Sequence, residues 1–270
     1  MDRATTAAAA DLEAALHRVR RAFAGMTARP DESNCPCHWG SEEELRLLKT
    51  PDVPLDPDLL HRTWSAPDWR DHAAVTRRVL PQFAEALAAG ECDEAGRAGR
   101  SLAMAGWRTW PEAPVVRAFL DAWWARTLER DAPPRPAYDV FETCVVASGS
   151  VTPWLAAWSR RTDPTADRHL LAAARWWVDD LERDEYPSYD VHWDDDEEEL
   201  ARELSAWLGR HAPARLAALG AEPALVDRLT MLGVPSEWRR PDEGGTDMGG
   251  PPTGGPATGG TVGGNRPPQR

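Results

Sequence analysis

The chain has 270 residues, a formal net charge of −13 and 42 % hydrophobic residues. That length allows one large domain or two small ones. The negative balance argues against nucleic acid as a ligand, since phosphate binding needs clustered cations, and fits a basic protein partner. No stretch approaches the ~18 continuous apolar residues of a membrane span. Asp2, Asp11 and Glu13 interrupt the apolar run that a secretion signal would need, so the expected setting is the cytoplasm. The basic residues are arginines except Lys49, and the 14 tryptophans far outnumber the 3 tyrosines and 4 phenylalanines.

Taken in chain order, nearly every segment reads as helix. Leu12, Leu16, Val19 and Phe23 recur at the spacing of one helical stripe, which should end near Gly25. The stretch SNCPCHWGSEEELRLL, residues 33–48, raises a chemical question. Cys35, Cys37 and His38 carry donors suited to zinc, with His61, His72 or Cys92 to complete the shell. The single-residue cysteine spacing departs from the usual structural zinc pattern and from the redox CxxC pattern. A proline-stiffened turn packing Trp39 on the next helix is the other reading. Four unevenly spaced cysteines do not form a disulfide framework. Ser41 and Glu44 form a capping box that opens the next helix.

Asp56–Pro57, Thr152–Pro153 and Asp163–Pro164 each look like a cap followed by proline at the first helical position. Val75, Val79, Phe83 and Leu87 make another stripe, with Pro81 predicting a kink or break near Leu80. Gly90 and Gly149 read as helix stops. No alternating strand pattern emerges. The expected fold is all-α: an array of stacked helix pairs over residues 1–240, then a Gly/Pro-rich tail over 241–270 that is too polar to order itself.

An internal echo supports the array. RTWPEAPVVRAFLDAWWARTLERDAPP (108–134) and RTDPTADRHLLAAARWWVDDLERDEYP (161–187) align without gaps, sharing the RTxP start, the WWxxxLERD block and the closing proline. Adjacent indoles on a helix point about 100° apart, so only one of Trp123/Trp124 and one of Trp176/Trp177 can face the centre of the core. Trp124 and Trp177 are the candidates for a surface role.

The second copy ends in carboxylates. Asp179, Asp180, Glu182 and Asp184 form a DDxExD string, followed by Asp194 and Asp195 in VHWDDDEEEL. Paired carboxylates can hold magnesium for diphosphate chemistry. The string resembles the aspartate-rich motif of class I terpene synthases, which are also all-α. That family's second magnesium motif has no counterpart here. The echo places Arg126 and Thr127 where Asp179 and Asp180 stand, which makes the frame structural first. His169 and His192, lying near carboxylates, are further candidates as bases or ligands. No GxSxG, HExxH, Walker or dinucleotide fingerprint occurs.

The CxCH turn, the GWRTWP segment (Gly106 to Pro111), the WW helix and the acidic end together resemble helical proteins common in actinomycete genomes. The resemblance implies an all-α, repeat-like fold in a bacterial cytoplasm and implies no activity. The function expected is therefore a non-enzymatic interaction module: a scaffold, a regulator or an immunity-like protein. It would meet a basic, arginine-bearing partner through Trp124, Trp177, Asp179, Asp180, Asp184, Asp194 and Asp195, without a cofactor unless zinc sits at the CxCH turn. The alternative is a metal-dependent enzyme working through Asp179, Asp180 and Asp184. An enzyme should gather its carboxylates in a closed pocket; an interaction module should splay them outward beside exposed tryptophans.

Overall fold

The structure, a computed structural model, describes residues 3–35, 39–91, 95–188, 197–234 and 238. Residues 1–239 form one compact unit. The tail expected over 241–270 lies outside the described residues. Among those residues the chain is all-helical, with eleven α-helices, one 3₁₀ turn and no strand. They are α1 (Arg3–Ala22), α2 (Glu42–Leu48), α3 (Pro57–Ser65), α4 (His72–Ala89), α5 (Ala95–Met104), α6 (Ala113–Glu129), α7 (Ala137–Ser148), α8 (Thr152–Ser159), α9 (Pro164–Leu181), α10 (Glu197–Leu219) and α11 (Pro223–Leu232). No helix among them is long and apolar enough to cross a membrane.

Local signals set most boundaries. The capping box is complete: Glu44 N–H donates to Ser41 Oγ (3.2 Å) and Ser41 N–H to Glu44 Oε2 (2.7 Å). Asp56 and Asp163 cap α3 and α9 ahead of their prolines. Gly90 and Gly149 end α4 and α7 in the left-handed conformation (φ 77° and 68°), where a side chain would be strained. Thr152 departs from expectation. It is the first residue of α8 rather than its cap, and its hydroxyl bonds Glu203 on α10 (2.5 Å). Pro81 departs too: α4 runs unbroken through it. An interior proline costs about 3 kcal/mol. Burial of Val75, Val79, Leu80, Phe83 and Leu87 on either side of it outweighs that.

The GWRTWP segment has an architectural task. Gly106 turns the chain at φ 65° into the 3₁₀ turn Trp107–Thr109. From there Trp107 Nε1 donates to Ala147 O (2.7 Å) and the Arg108 guanidinium to Ser148 O, occupying carbonyls at the C-terminus of α7. Those carbonyls have no partner within the helix.

The packing combines neighbour stacking with long returns. Helices α9, α10 and α11 stack in chain order, as an array requires, while α1 lies against α6 and α5 against α7. Gly99 lets α5 approach α7 closely: a Cβ there would sit 2.6 Å from Thr143 O. The centre is aromatic. Trp158 of α8 lies 5.2 Å from Trp124 and 6.1 Å from Trp177, both edge-on, and 6.3 Å from Phe141. The two echo segments thus deliver α6 and α9, whose second indoles meet on shared rings. Trp158 is fully buried and its Nε1–H is held by Ala166 O (3.2 Å). Trp158→Ala should therefore cost about 3–5 kcal/mol of stability in urea unfolding, the usual loss for a core aromatic.

Candidate functional site

The expected surface tryptophans are corrected first. Trp124 is 1 % exposed and Trp177 2 %. Both belong to the core, because α6 and α9 turn these positions onto Phe141 and Trp158. Trp123 is buried as well, stacked on Phe119 at 5.9 Å. In the second copy it is Trp176 that reaches solvent, at 45 % exposure, with its ring stacked on Tyr138 of α7 at 5.4 Å. The sequence placed one indole of each pair inward; only the tertiary neighbours decide which, and in the first copy both go in.

The carboxylates at the end of α9 are described as far as Glu185. Asp179 and Glu182 share one partner, Arg228 of α11, through contacts of 2.5, 2.8 and 2.6 Å. That guanidinium holds the Asp179 carboxyl below its ordinary range, and the two acids in turn raise the Arg228 pKa. Asp180 pairs with Arg183, which also reaches Glu185 (2.9 Å). Asp184 takes the left-handed position after the helix (φ 62°), and Glu185 N–H returns to Asp180 O (3.0 Å). This is a Schellman-type helix end. Asp194, Asp195 and His192 lie outside the described residues. No group of three or more His, Cys, Asp or Glu among the described residues is arranged to hold a metal. The DDxExD string is thus a helix terminus at which Asp179, Asp180 and Glu182 pair with arginines.

At the CxCH turn, Cys37 and His38 lie outside the described residues, as does Cys92. Cys35 is a disulfide half, so in this state its sulfur offers no thiolate donor. Trp39 is buried edge-on against Trp69 (4.9 Å), which stands in the loop between α3 and α4. His61 stands edge-on to Trp64 at 4.8 Å. Cys144 is a free, fully buried thiol whose pKa burial pushes up.

Of two further groups, Glu32 gave no sequence signal and His72 was named only as a candidate to complete a zinc shell. Glu32, an acid in a loop, is 2 % exposed and accepts N–H donors from Ser33 (3.1 Å), Arg70 (3.0 Å) and Asp71 (3.0 Å). It fastens the loop after α1 to the start of α4. His72, the first residue of α4, borders a cavity of about 140 Å³ together with Ser65, Arg97, Arg100 and Ser101. Ser101 Oγ lies 3.5 Å from His72 Nε2. Comparison with protein families, with curated proteins and with solved structures finds no match to this chain.

His169 is packed rather than exposed: its Nε2–H donates to Arg130 O (2.7 Å) and the residue is 9 % exposed. Burial lowers the pKa of both His72 and His169 below 6.5. Near pH 6 the unfolded chain therefore binds protons that the folded chain refuses, so stability falls as pH drops below 6.5. Urea midpoints should decrease from pH 7.5 to 5.5, and His169→Gln, which keeps an N–H for Arg130 O, should flatten that decrease.

Proposed function

We propose that this chain is a non-enzymatic helical interaction module that meets an arginine-bearing, basic protein segment on the outer face of α9. One observation carries the reading. Trp176 is a large indole half in solvent, braced flat against Tyr138, on the helix whose next turn presents Asp179 and Asp180. Residues three and four positions on lie on the same helical face. A guanidinium stacks on an indole while bonding a carboxylate at its edge. The same face already takes arginines of its own chain, Arg183 and Arg228. A partner arginine would enter by exchange with these pairs, and exposed pairs are worth only about 0–1 kcal/mol each. The net charge of −13 adds long-range attraction for a basic partner.

The outward, arginine-bound carboxylates favour this reading over a metal-dependent enzyme, which needs them gathered around one ion. Its test is a titration of the full chain with an arginine-rich peptide, read by tryptophan fluorescence and calorimetry, with lysine-rich and glutamate-rich peptides alongside. The arginine peptide should bind best, more weakly as salt rises, and Trp176→Ala should lower its affinity about tenfold, as loss of a central aromatic anchor does. Affinity indifferent to Trp176→Ala, or no preference for arginine over lysine, refutes the assignment.

A further inference from the structure

Several hollows in the fold have their polar groups already engaged. In one of about 390 Å³ between α3 and α4, Glu85 pairs with Arg20 and His61 leans on Trp64. In a neighbouring one of about 470 Å³, Arg78 donates to the carbonyls of Thr50 (3.0 Å) and Val53 (2.5 Å). Gln82 there exchanges hydrogen bonds with the Leu55 backbone. These side chains tie loops to helices.

The cavity beside His72 differs in kind. Its polar wall comes from three helices: Ser65 from the end of α3, His72 from the start of α4, and Arg97, Arg100 and Ser101 from α5, with Trp64 as an apolar side. Positions 97, 100 and 101 share one helical face, opposite Gly99, whose close approach to α7 fixes the rotation of α5. Ser65 Oγ and His72 Nδ1 are buried and have no hydrogen-bond partner among the described residues. Such groups are normally paired, and leaving them unpaired costs about 1–3 kcal/mol each. Ser101 lies beside Nε2 of the ring (3.5 Å), which leaves Nδ1 as the ring atom open to a ligand. Arg100 forms no ion pair among the described residues and is exposed at the rim. The nearby carboxylate of Glu32 is occupied by three backbone N–H groups. The N-terminus of α4, an 18-residue helix, adds its partial positive charge.

We propose that this cavity binds a small oxyanion, a phosphate or carboxylate group, with Arg100 and Ser65 as its donors and the His72 ring beside it. A volume of about 140 Å³ suits such a group and is well short of the ~300 Å³ at which pockets for drug-sized ligands begin. The site stands on other helices than the α9 face, so each assignment can fail alone.

The test uses the full chain with inorganic phosphate, acetate and chloride at matched ionic strength, read by calorimetry, thermal unfolding and the His72 ring resonances. Phosphate or acetate should bind saturably, raise the unfolding midpoint above that in chloride and shift the His72 signals. Whichever of the two binds more tightly identifies the group. Arg100→Ala should weaken binding about tenfold, as loss of a charge-assisted donor does, and Ser65→Ala should weaken it without altering any charge. Arg202→Ala, an exposed arginine on α10, should leave it unchanged. A response no larger than that to chloride, an unmoved His72, or equal binding by Arg100→Ala overturns the proposal.

Discussion

Four helices meet because four rings do. Trp124 from α6, Phe141 from α7, Trp158 from α8 and Trp177 from α9 pack with centroid separations between 5.1 and 6.3 Å. An indole contributes a large apolar area, but its N–H must still find an acceptor when buried. Those acceptors set the register. Trp124 Nε1–H reaches Trp154 O (3.1 Å), Trp154 Nε1–H reaches Ser148 Oγ (3.0 Å), and Trp158 Nε1–H reaches Ala166 O (3.2 Å). The eight-residue α8, too short to be stable alone, is thereby fixed between α6 and α9. The rest of the C-terminal half depends on this cluster. Trp207 of α10 lies 5.9 Å from Trp158 and donates to Ser159 Oγ (2.8 Å). Arg215 then bonds Asp167 near the start of α9 (2.6 Å), and α11 packs on α10.

The helices were legible in the sequence wherever a local signal decided them. Ser41 with Glu44, Asp56 with Pro57, Asp163 with Pro164, Gly90 and Gly149 each satisfy or end a backbone hydrogen-bond ladder within a few residues, so no tertiary information is needed. The echo segments supply α6 and α9, but the shared RTxP opens only α9, at Pro164; in the first copy it falls in and after the 3₁₀ turn, and α6 begins at Ala113. Thr152 shows the limit: its hydroxyl found a better acceptor 51 residues away on α10. Pro81 shows another. The local penalty is real, but it competes with the burial of a whole helix face.

The candidate site was legible in composition and not in direction. That a tryptophan would stand in solvent beside the α9 carboxylates followed from the WW–DD spacing. Which tryptophan does so depends on Tyr138 and Phe141, supplied by α7. The acids read as a magnesium string because their partner Arg228 stands 46 to 49 residues downstream, beyond any motif. Glu32 left no trace, and His72 stood out only as a candidate to complete a zinc shell. A single buried acid or histidine has no periodicity, and what matters at each is convergence: three amides on one, three helices around the other.

These two regions differ in how far their polar capacity is already used. At the end of α9, Asp179, Asp180, Glu182 and Glu185 pair with arginines of the same chain, in water, where such pairs form and break at little cost. A partner there gains by replacement, so its affinity rests on the Trp176 face and on geometry. Beside His72, Ser65 Oγ and the ring Nδ1 are held away from water by helices that must be where they are for other reasons: α5 by its contact with α7, and α4 by Glu32. Preorganised polar groups of this kind incur little further ordering cost when a ligand arrives. Under the two proposals, then, the α9 face takes exchangeable contact with a flexible basic chain, and the His72 cavity selective retention of one small group.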